Sequence, residues 1–504
     1  AFWLRLEGAG AARGRPRPTL RRGGGSRAGR FAAAMQASLA TARSSVRWPV
    51  RLAVAYVLCE LWRLYRFRRL LRRLRVRHYA HKGGDSFLAW ARGVVMDSKT
   101  PIILDREFFE RFTAEEGSPS VGYGGGRLNW QRLYSWWAWG CGRPFDAQHD
   151  PELHATLLEC AGRCCSAMGL APPPADAPPQ PVPAVSPFGF GICDIRATFT
   201  PLPVRAFLRA VLLGSRLGLR AMGFRRLTEP MPEGDLVCWT DLPRGGKAAG
   251  GEQRPVVFMH GLGLGNLTYL PLFQGPAGRA WRPGGCVLLE LPCMTSASAC
   301  LEHMPLAAHS ADALGRLLRE QLGYGDFEYD VVCHSLSAYL AAILCNEGSP
   351  CRPRRTVLID PVCFLDGVEV CGRFPFRTPQ ECRTFAESTV LFPSFLPMAV
   401  RRLFGHLFRH FVCRNIFTQY SVLRWNGTDA TSIFWRNASA DALVCLSDAD
   451  NFVPAARVAR HCEAHFPRIK RYHMPGKDHG SFVIEGALRA ELLQRMALFL
   501  SSGE

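Results

Sequence analysis

Short apolar runs alternate with helical stretches from about residue 235 onward, and this alternation constrains the fold more than any other feature. The runs are rich in Val, Ile and Leu, as in PVVFMHG, GCVLLELP, YDVVCHS and RRTVLID, and the helical pattern LSAYLAAILC directly follows the third. Continuous apolar strands separated by helices predict a mostly parallel sheet with helices on both faces. In such a sheet, ligands bind beyond the carboxyl ends of the strands. The predicted strands are 235–240, 255–261, 285–292, 329–335, 354–362, 440–448 and 468–476.

The positive charge of the chain is concentrated in its first 82 residues. The chain has 504 residues and a net charge of +20, and residues 1–82 hold 20 Lys and Arg against two acidic residues, so they contribute +18 of that total. The nearly neutral body excludes charge-driven nucleic-acid binding by the protein as a whole, and no nucleic-acid partner is expected. With 48% hydrophobic and 21% charged residues, the chain is neither wholly disordered nor a polytopic membrane protein.

Residues 1–47 form an Arg-rich leader with a single acidic residue, Glu7. The rest of the leader is mostly Ala, Ser and Gly, which is typical of an organelle transit peptide or of a disordered segment. The 19 cysteines of the chain show no paired metal-ligand spacing, and several lie within apolar runs. This pattern favours reduced, buried thiols and a protein that is not secreted.

Residues 48–82 combine the apolar half WPVRLAVAYVLCELW with the Arg-rich half RLYRFRRLLRRLRVR. The longest uncharged stretch, 52–59, has eight residues, whereas a membrane-spanning helix needs about 20. Apolar side chains between arginines are typical of a helix that lies on an anionic membrane surface. We therefore expect a membrane-proximal helix and a membrane-associated protein, in an organelle if the leader is a transit peptide. A soluble helix packed on the body is the alternative.

The remaining chain divides into regions of different composition. Residues 83–170 predict a helical, Trp-rich region, and residues 171–187 hold eight prolines among 17 residues, as in a semi-rigid linker. Residues 188–504 form the predicted α/β domain, in which about 365–438 separates two strands and is predicted to be a helical cap. Within that cap, apolar residues recur at helical spacing over 398–413. This segment is either a helix packed on the body or a lid that contacts lipid.

Ser335 lies in the segment Cys-His-Ser-Leu-Ser, between a predicted strand and a predicted helix. A serine hydroxyl is a weak nucleophile unless a sharp turn exposes it beside a base, and a strand–turn–helix elbow does so. The turn needs small residues two positions before and after the serine. Here they are Cys333 and Ser337, which are small but carry a Cβ atom. By itself, a serine that ends a strand more often caps the following helix.

Two other strand ends supply an acid and a base. Asp450 follows the strand ALVCLS and lies 115 residues after Ser335. His479 follows the last strand and lies 29 residues after Asp450. Asp450 would orient the imidazole of His479, which would accept the proton of Ser335. Asp448 competes with Asp450 for this role, and Asp360, at the end of the strand VLID, is the other alternative acid.

The segment HGLGLG follows the strand VVFM and predicts a loop that stabilises an oxyanion. Its glycines, Gly261 and Gly263 among them, let the backbone approach a ligand, and the amides of Leu262 and Leu336 would donate to the oxyanion. A dinucleotide-binding loop is disfavoured because an asparagine stands where the third glycine would be. We expect His260 to support the loop rather than to act as a second base.

Taken in order, HGLGLG, CHSLS, SDADNFVP and KDHGSF resemble the motifs of the alpha/beta hydrolase superfamily over about residues 235–500. More narrowly, VFMHGLGLGNLTYLPLF with IDPVCF resembles a eukaryotic branch whose members carry a membrane-proximal segment before the catalytic domain. The resemblance implies serine hydrolase chemistry, and no metal or organic cofactor is expected. We expect the substrate to be an acyl ester, such as a lipid, that forms an acyl-enzyme on Ser335. An inactive binding or scaffold protein with this fold, and an acyltransferase or peptidase with the same triad, are the alternatives.

Overall fold

The computed structural model describes most of the predicted α/β domain. The described residues are 48–76, 129–140, 151–167, 169–180, 197–232, 234–243, 254–291, 307–326, 328–345, 349, 351–364, 397–408, 415, 441–450 and 452–502. The predicted leader 1–47 and most of the predicted cap lie outside these residues. The chain divides into two compact units, Ala1–Tyr65 and Arg66–Glu504.

An eight-stranded sheet lies within the described residues of the second unit. The strands are β1 Arg225–Met231, β2 Gly234–Thr240, β3 Val256–Met259, β4 Cys286–Glu290, β5 Asp330–His334, β6 Arg355–Ile359, β7 Asp441–Ser447 and β8 Lys470–Met474. They lie in the order β1-β2-β4-β3-β5-β6-β7-β8. The β1–β2 and β2–β4 pairs are antiparallel, and the other pairs are parallel. The predicted fold class, a mostly parallel sheet flanked by helices, is confirmed.

The strand β1 is an edge strand that the apolar pattern does not predict. Its sequence, RRLTEPM, contains charged residues and a proline, and Glu229 is its buried position. An edge strand tolerates proline because one of its sides makes no ladder hydrogen bonds. Glu229 accepts hydrogen bonds from Arg316 Nε at 2.8 Å and from Gln321 Nε2 at 2.9 Å. These polar contacts, rather than an apolar face, attach the edge strand to the neighbouring helical segment.

The helices alternate with the strands from β3 onward. The described α-helices are α1 Trp48–Val76, α2 Trp130–Gly140, α3 Pro151–Ala167, α4 Leu202–Ala221, α5 Gly275–Ala280, α6 Ala307–Arg316, α7 Ala338–Cys345, α8 Met398–Phe408, α9 Ala455–His465 and α10 Gly486–Ser501. At the centre of the core, the ring of Phe258 in β3 contacts the rings of Tyr269, Phe273 and Trp281. Burying side chains of this size contributes about 1.5–3 kcal/mol each, which fixes the segment that follows β3 against the sheet.

The helix α1 lies within the segment predicted to be membrane-proximal. Four of its apolar side chains are about half exposed, namely Val50 at 50%, Leu52 at 54%, Val57 at 52% and Leu61 at 48%. Among the described helices, none combines the length and the apolar composition that a membrane crossing requires. The helix α8 lies within the predicted cap, and it exposes Leu403.

The described part of the Pro-rich segment, 171–180, lies against α3. Ala177 is buried, and its carbonyl oxygen is 3.2 Å from Nε2 of His154 in that helix. The hydroxyl of Tyr134 in α2 lies 2.9 Å from the other ring nitrogen of His154. A linker at 171–187 and the other predicted domain boundaries stay predictions.

The strand register gathers the predicted site residues at one edge of the sheet. Met259 of β3 pairs with Cys333 of β5, and His334 of β5 pairs with Ile359 of β6. Ile359 in turn pairs with Cys445 of β7. Because these strands are parallel, the turns that follow β3, β5, β6 and β7 meet at their shared carboxyl edge.

Candidate active site

Ser335 lies in a strained turn between β5 and α7. Its φ is 56°, in the left-handed region that residues other than glycine rarely adopt. β5 ends at His334, a short 3₁₀ turn covers Ser335–Ser337, and α7 begins at Ala338. The segment therefore has the strand–turn–helix form of a nucleophile elbow, in which the strain exposes the serine hydroxyl to a base.

Cys333 and Ser337, the two small elbow residues that carry a Cβ atom, both fit into the turn. Ser337 Oγ accepts a hydrogen bond from the amide of His334 at 3.2 Å and lies 2.8 Å from the carbonyl oxygen of Met259, to which it can donate. Cys333 is fully buried in β5, and burial raises the pKa of its thiol well above the ordinary value. The Ser337 hydroxyl thus connects the elbow to β3, and Cys333 packs as a small apolar side chain.

Ser335, His479 and Asp450 form a continuous hydrogen-bonded chain. Nε2 of His479 lies 2.9 Å from Oγ of Ser335, and Nδ1 of the same ring lies 2.6 Å from Oδ2 of Asp450. The other carboxylate oxygen of Asp450 accepts from the amides of Phe452 at 2.6 Å and Val453 at 2.9 Å. These two amides fix the carboxylate, and the carboxylate fixes the Nδ1–H tautomer of the imidazole.

Asp448 lies apart from this chain of hydrogen bonds. Its Oδ1 is 2.9 Å from Nδ1 of His473, and both side chains are more than 40% exposed, at 41% for Asp448 and 44% for His473. The side chain of Asp450, by contrast, is 0% exposed. Of the two aspartates that follow β7, the structure therefore brings Asp450 to His479.

The basicity of His479 follows from the carboxylates around it. Burial by itself lowers the pKa of His479, because it disfavours the charged imidazolium. The charge of Asp450 and its hydrogen bond act in the opposite direction and, with the charges of Asp360 and Asp478, raise the pKa to about 9. The surrounding carboxylates therefore make His479 a stronger base than a free imidazole.

Asp360, the alternative acid at the end of β6, is bonded to two neighbouring segments rather than to His479. Its Oδ1 accepts from the amide of Ser447 at 2.8 Å, and its Oδ2 accepts from Ser447 Oγ at 3.0 Å and from the amide of Gly480 at 3.1 Å. The carboxylate is fully buried, and burial raises its pKa to about 6, with the charge of Asp450 acting in the same direction. Asp360 thus holds the end of β7 against the loop that carries His479.

The hydroxyl of Tyr269 makes a second connection between the β3 region and the elbow. It accepts from the amide of Gly261 at 3.1 Å and lies 2.7 Å from Nδ1 of His334. Since it accepts from Gly261, we assign its own proton to His334 Nδ1, which leaves the imidazole proton on Nε2, 3.9 Å from Oδ2 of Asp360. Burial lowers the pKa of His334 well below its ordinary value, and the neighbouring His479 acts in the same direction, so this ring is neutral.

The loop after β3 requires glycine for two different reasons. A Cβ atom at Gly261 would lie 2.5 Å from Nδ1 of His334, and Gly263 has a φ of 141° that other residues rarely adopt. His260 is buried, lies 2.7 Å from the carbonyl oxygen of Gly261 through Nδ1, and accepts from the amide of Leu291 through Nε2. Its two ring nitrogens therefore join the loop after β3 to Leu291, which follows β4.

The two predicted oxyanion donors lie in neighbouring turns. Leu262 follows β3 and Leu336 follows β5, which are adjacent parallel strands.

Tyr269 and Asp360 are polar residues that organise these turns. In the sequence, Asp360 is recognisable only as an alternative acid, and Tyr269 carries no signal because it falls within an apolar stretch. A metal ion would find one group of possible ligands among the described residues, namely His334, Asp360 and His479. An ion there would compete with the hydrogen bonds described above.

Residues 256–489 match the model of the alpha/beta hydrolase family. Together with the sheet order, this match shows that the matched segment, somewhat less than half of the chain, has the alpha/beta hydrolase fold. No curated protein matches the chain by sequence.

Several solved structures are similar to this chain. An esterase from Pyrobaculum calidifontis is 18% identical, with 60% of this chain and 98% of that chain covered and a TM-score of 0.36. Carboxylesterase CesB from Bacillus subtilis is 13% identical, with 60% and 99% covered and a TM-score of 0.41. Naproxen esterase from Bacillus subtilis is 12% identical, with 57% and 97% covered and a TM-score of 0.38.

Proposed function

We propose that the protein is a serine hydrolase that cleaves an acyl ester through an acyl-enzyme on Ser335. The observation that carries this proposal is the pair of contacts made by His479, whose Nε2 is 2.9 Å from Ser335 Oγ and whose Nδ1 is 2.6 Å from Asp450 Oδ2. A base within hydrogen-bond distance of a serine hydroxyl, oriented by a buried carboxylate, is the arrangement that activates serine as a nucleophile.

In the first step, Ser335 Oγ attacks the carbonyl carbon of the ester while His479 Nε2 accepts its proton. The negative charge that develops on the carbonyl oxygen is stabilised by the amides of Leu262 and Leu336. His479 then donates the proton to the leaving alkoxide, so that an alcohol departs and the acyl group stays on Ser335. The carboxylate of Asp450 stabilises the imidazolium that exists between these two proton transfers.

In the second step, a water molecule replaces the alcohol. His479 accepts a proton from the water, the hydroxide attacks the acyl carbon, and the proton returns to Ser335 Oγ as the carboxylic acid departs. An acyltransferase would use an alcohol in place of water at this step, and a peptidase would release an amine in the first. Comparing ester hydrolysis with acyl transfer to an added alcohol and with cleavage of an amide separates these activities.

We further propose that the substrate is a lipid ester and that the protein is membrane-associated through residues 48–82. The proposal is supported by the half-exposed apolar side chains of α1, which precede a run of arginines in the same segment. Such a segment binds anionic lipid by burying apolar area and by electrostatic attraction. If residues 1–47 act as a transit peptide, the membrane is that of an organelle.

Labelling with a fluorophosphonate, which reacts with an activated serine, tests the nucleophile. We expect the full chain to be labelled and the Ser335→Ala variant to lose the label. Ser501→Ala is the control, because it removes an exposed hydroxyl at the end of α10 and should retain the label. Labelling that survives Ser335→Ala would remove Ser335 from the proposed role, and no labelling of the unmodified chain would favour the inactive scaffold.

A further inference from the structure

The helix α4 carries apolar side chains on two opposite faces. Its inward face is buried through Leu208, Ser215 and Leu219. Its other face presents Phe207 at 65% exposure, Leu213 at 56% and Leu217 at 53%. A helix that exposes a second apolar stripe opposite its buried face indicates a further binding partner.

The exposed stripe is continuous along the helix. At 3.6 residues per turn, Leu213 and Leu217 lie close together and Phe207 lies about 80–120° further around the helix. The small residues Ala210 and Gly214 fill the sector between them in exposed positions. The stripe therefore contains no polar side chain that would interrupt an apolar contact. Scattered single exposed leucines need no partner, but an aligned set over more than two turns does.

The charges of α4 are all positive and lie along one flank. The helix contains the arginines Arg205, Arg209, Arg216 and Arg220 and no acidic residue. Their spacing of four and seven residues places them on the same side, between the buried face and the exposed stripe. Arg216 pairs with Glu290, and the guanidinium of Arg220 lies 5.9 Å from the centre of the Trp239 ring. Both Arg209 and Arg220 remain exposed to solvent.

We infer that the exposed face of α4 is a docking surface for an anionic lipid bilayer. An apolar stripe of Phe and Leu with arginines along its edge fits the boundary between acyl chains and negatively charged headgroups. A second copy of the chain fits less well, because a symmetric contact would bring the two arginine flanks together. The helix α4 lies within the second compact unit, Arg66–Glu504, and follows residues 48–82 in the sequence.

The docking surface is attached to the candidate active site through one segment. α4 packs against the 3₁₀ helix Gly265–Phe273, and a Cβ atom at Gly218 would lie 3.0 Å from Cδ1 of Leu270. The same 3₁₀ helix carries Tyr269, whose hydroxyl holds the glycine-rich loop and the elbow. When α4 is docked on a bilayer, the loop after β3 is therefore held at a fixed position relative to the membrane surface.

Partition of the full chain onto vesicles tests the surface. The probe is vesicles of phosphatidylcholine with phosphatidylserine, and vesicles of phosphatidylcholine alone are the reference. The Leu213→Glu/Leu217→Glu variant should lower the partition coefficient onto anionic vesicles by about tenfold or more, because two apolar contacts are lost and two like charges are added. Leu498→Glu is the matched control, since Leu498 in α10 is 62% exposed and has no apolar stripe beside it. It should change partition by less than about twofold, and thermal unfolding checks that both variants fold.

A second measurement reports on α4 itself, whatever residues 48–82 contribute. A photoreactive phenylalanine analogue at position 213 should form covalent adducts with phospholipid on irradiation, and the same analogue at position 498 should not. Adducts between two copies of the chain, lipid adducts at both positions alike, or no lipid adduct at position 213 would each overturn the inference. Equal loss of partition in the Leu213→Glu/Leu217→Glu and Leu498→Glu variants would overturn it as well.

Discussion

The Asp450→Asn substitution separates the two buried carboxylates that lie near His479. In the structure, one oxygen of Asp450 accepts two backbone amides, and the other accepts from Nδ1 of His479 at 2.6 Å. The oxygen of an asparagine can keep the two amides, and its NH₂ group then faces Nδ1. Two donors cannot share this contact, so the imidazole proton moves to Nε2, and Nε2 can no longer accept the proton of Ser335.

We expect this wrong tautomer to lower kcat/KM by about 10⁴-fold, which corresponds to about 5 kcal/mol of lost transition-state stabilisation. Asp360→Asn is the matched control, because it makes the same change in a buried carboxylate that is hydrogen-bonded to Ser447 and Gly480 rather than to His479. Asp360 accepts from the Ser447 amide, the Ser447 hydroxyl and the Gly480 amide. Its replacement leaves at least one buried donor unpaired, which should lower the free energy of unfolding by about 1–3 kcal/mol and cost far less activity.

The assay is hydrolysis of a water-soluble aryl ester together with the rate of fluorophosphonate labelling, and chemical denaturation gives the stability. Measuring both quantities in both variants distinguishes an orienting acid from a structural one. If Asp360→Asn abolished turnover in a folded protein while Asp450→Asn kept most of it, the acid would belong at the end of β6. Loss of activity in both variants with equal loss of stability would show that neither effect is specific.

The rate of fluorophosphonate labelling at Ser335 should rise as the pH approaches about 9, because only the neutral imidazole accepts a proton and the pKa of His479 is raised to about 9. Since this pKa lies above the unfolded value, the stability that His479 contributes is full below about pH 6.5 and is lost as the pH rises through about 9. A labelling rate that does not change with pH would contradict the assignment. Tyr269→Phe should lower the free energy of unfolding by about 1–3 kcal/mol and slow labelling, because it leaves the Gly261 amide without its acceptor. Unchanged denaturation and labelling would show that the Tyr269 hydroxyl stabilises neither the loop nor the elbow. Binding of the full chain to anionic vesicles should weaken as the salt concentration rises, because salt screens the positive charges of residues 1–82. Attachment that only detergent reverses would instead mean that residues 48–62 insert into the bilayer.

The fold class and the positions of the candidate triad follow from local patterns in the sequence. Apolar runs of strand length separated by helical patterns predict the parallel sheet, because a strand that is buried on both faces must be apolar throughout. Since the strands are parallel, residues that follow them share one edge, which is why Ser335, Asp450 and His479 can be grouped before any distance is known.

Only the tertiary structure decides how the residues around that triad are connected. The bond between Tyr269 and His334 joins residues 65 positions apart, and that between Asp360 and Gly480 joins residues 120 apart. The edge strand β1 is held through Glu229, whose partners lie in a later helical segment. The second apolar face of α4 is likewise recognisable only once its buried face is known. A sequence pattern reports what each segment requires of its surroundings, whereas the partner that meets the requirement is set by strand order and register, which bring distant segments together.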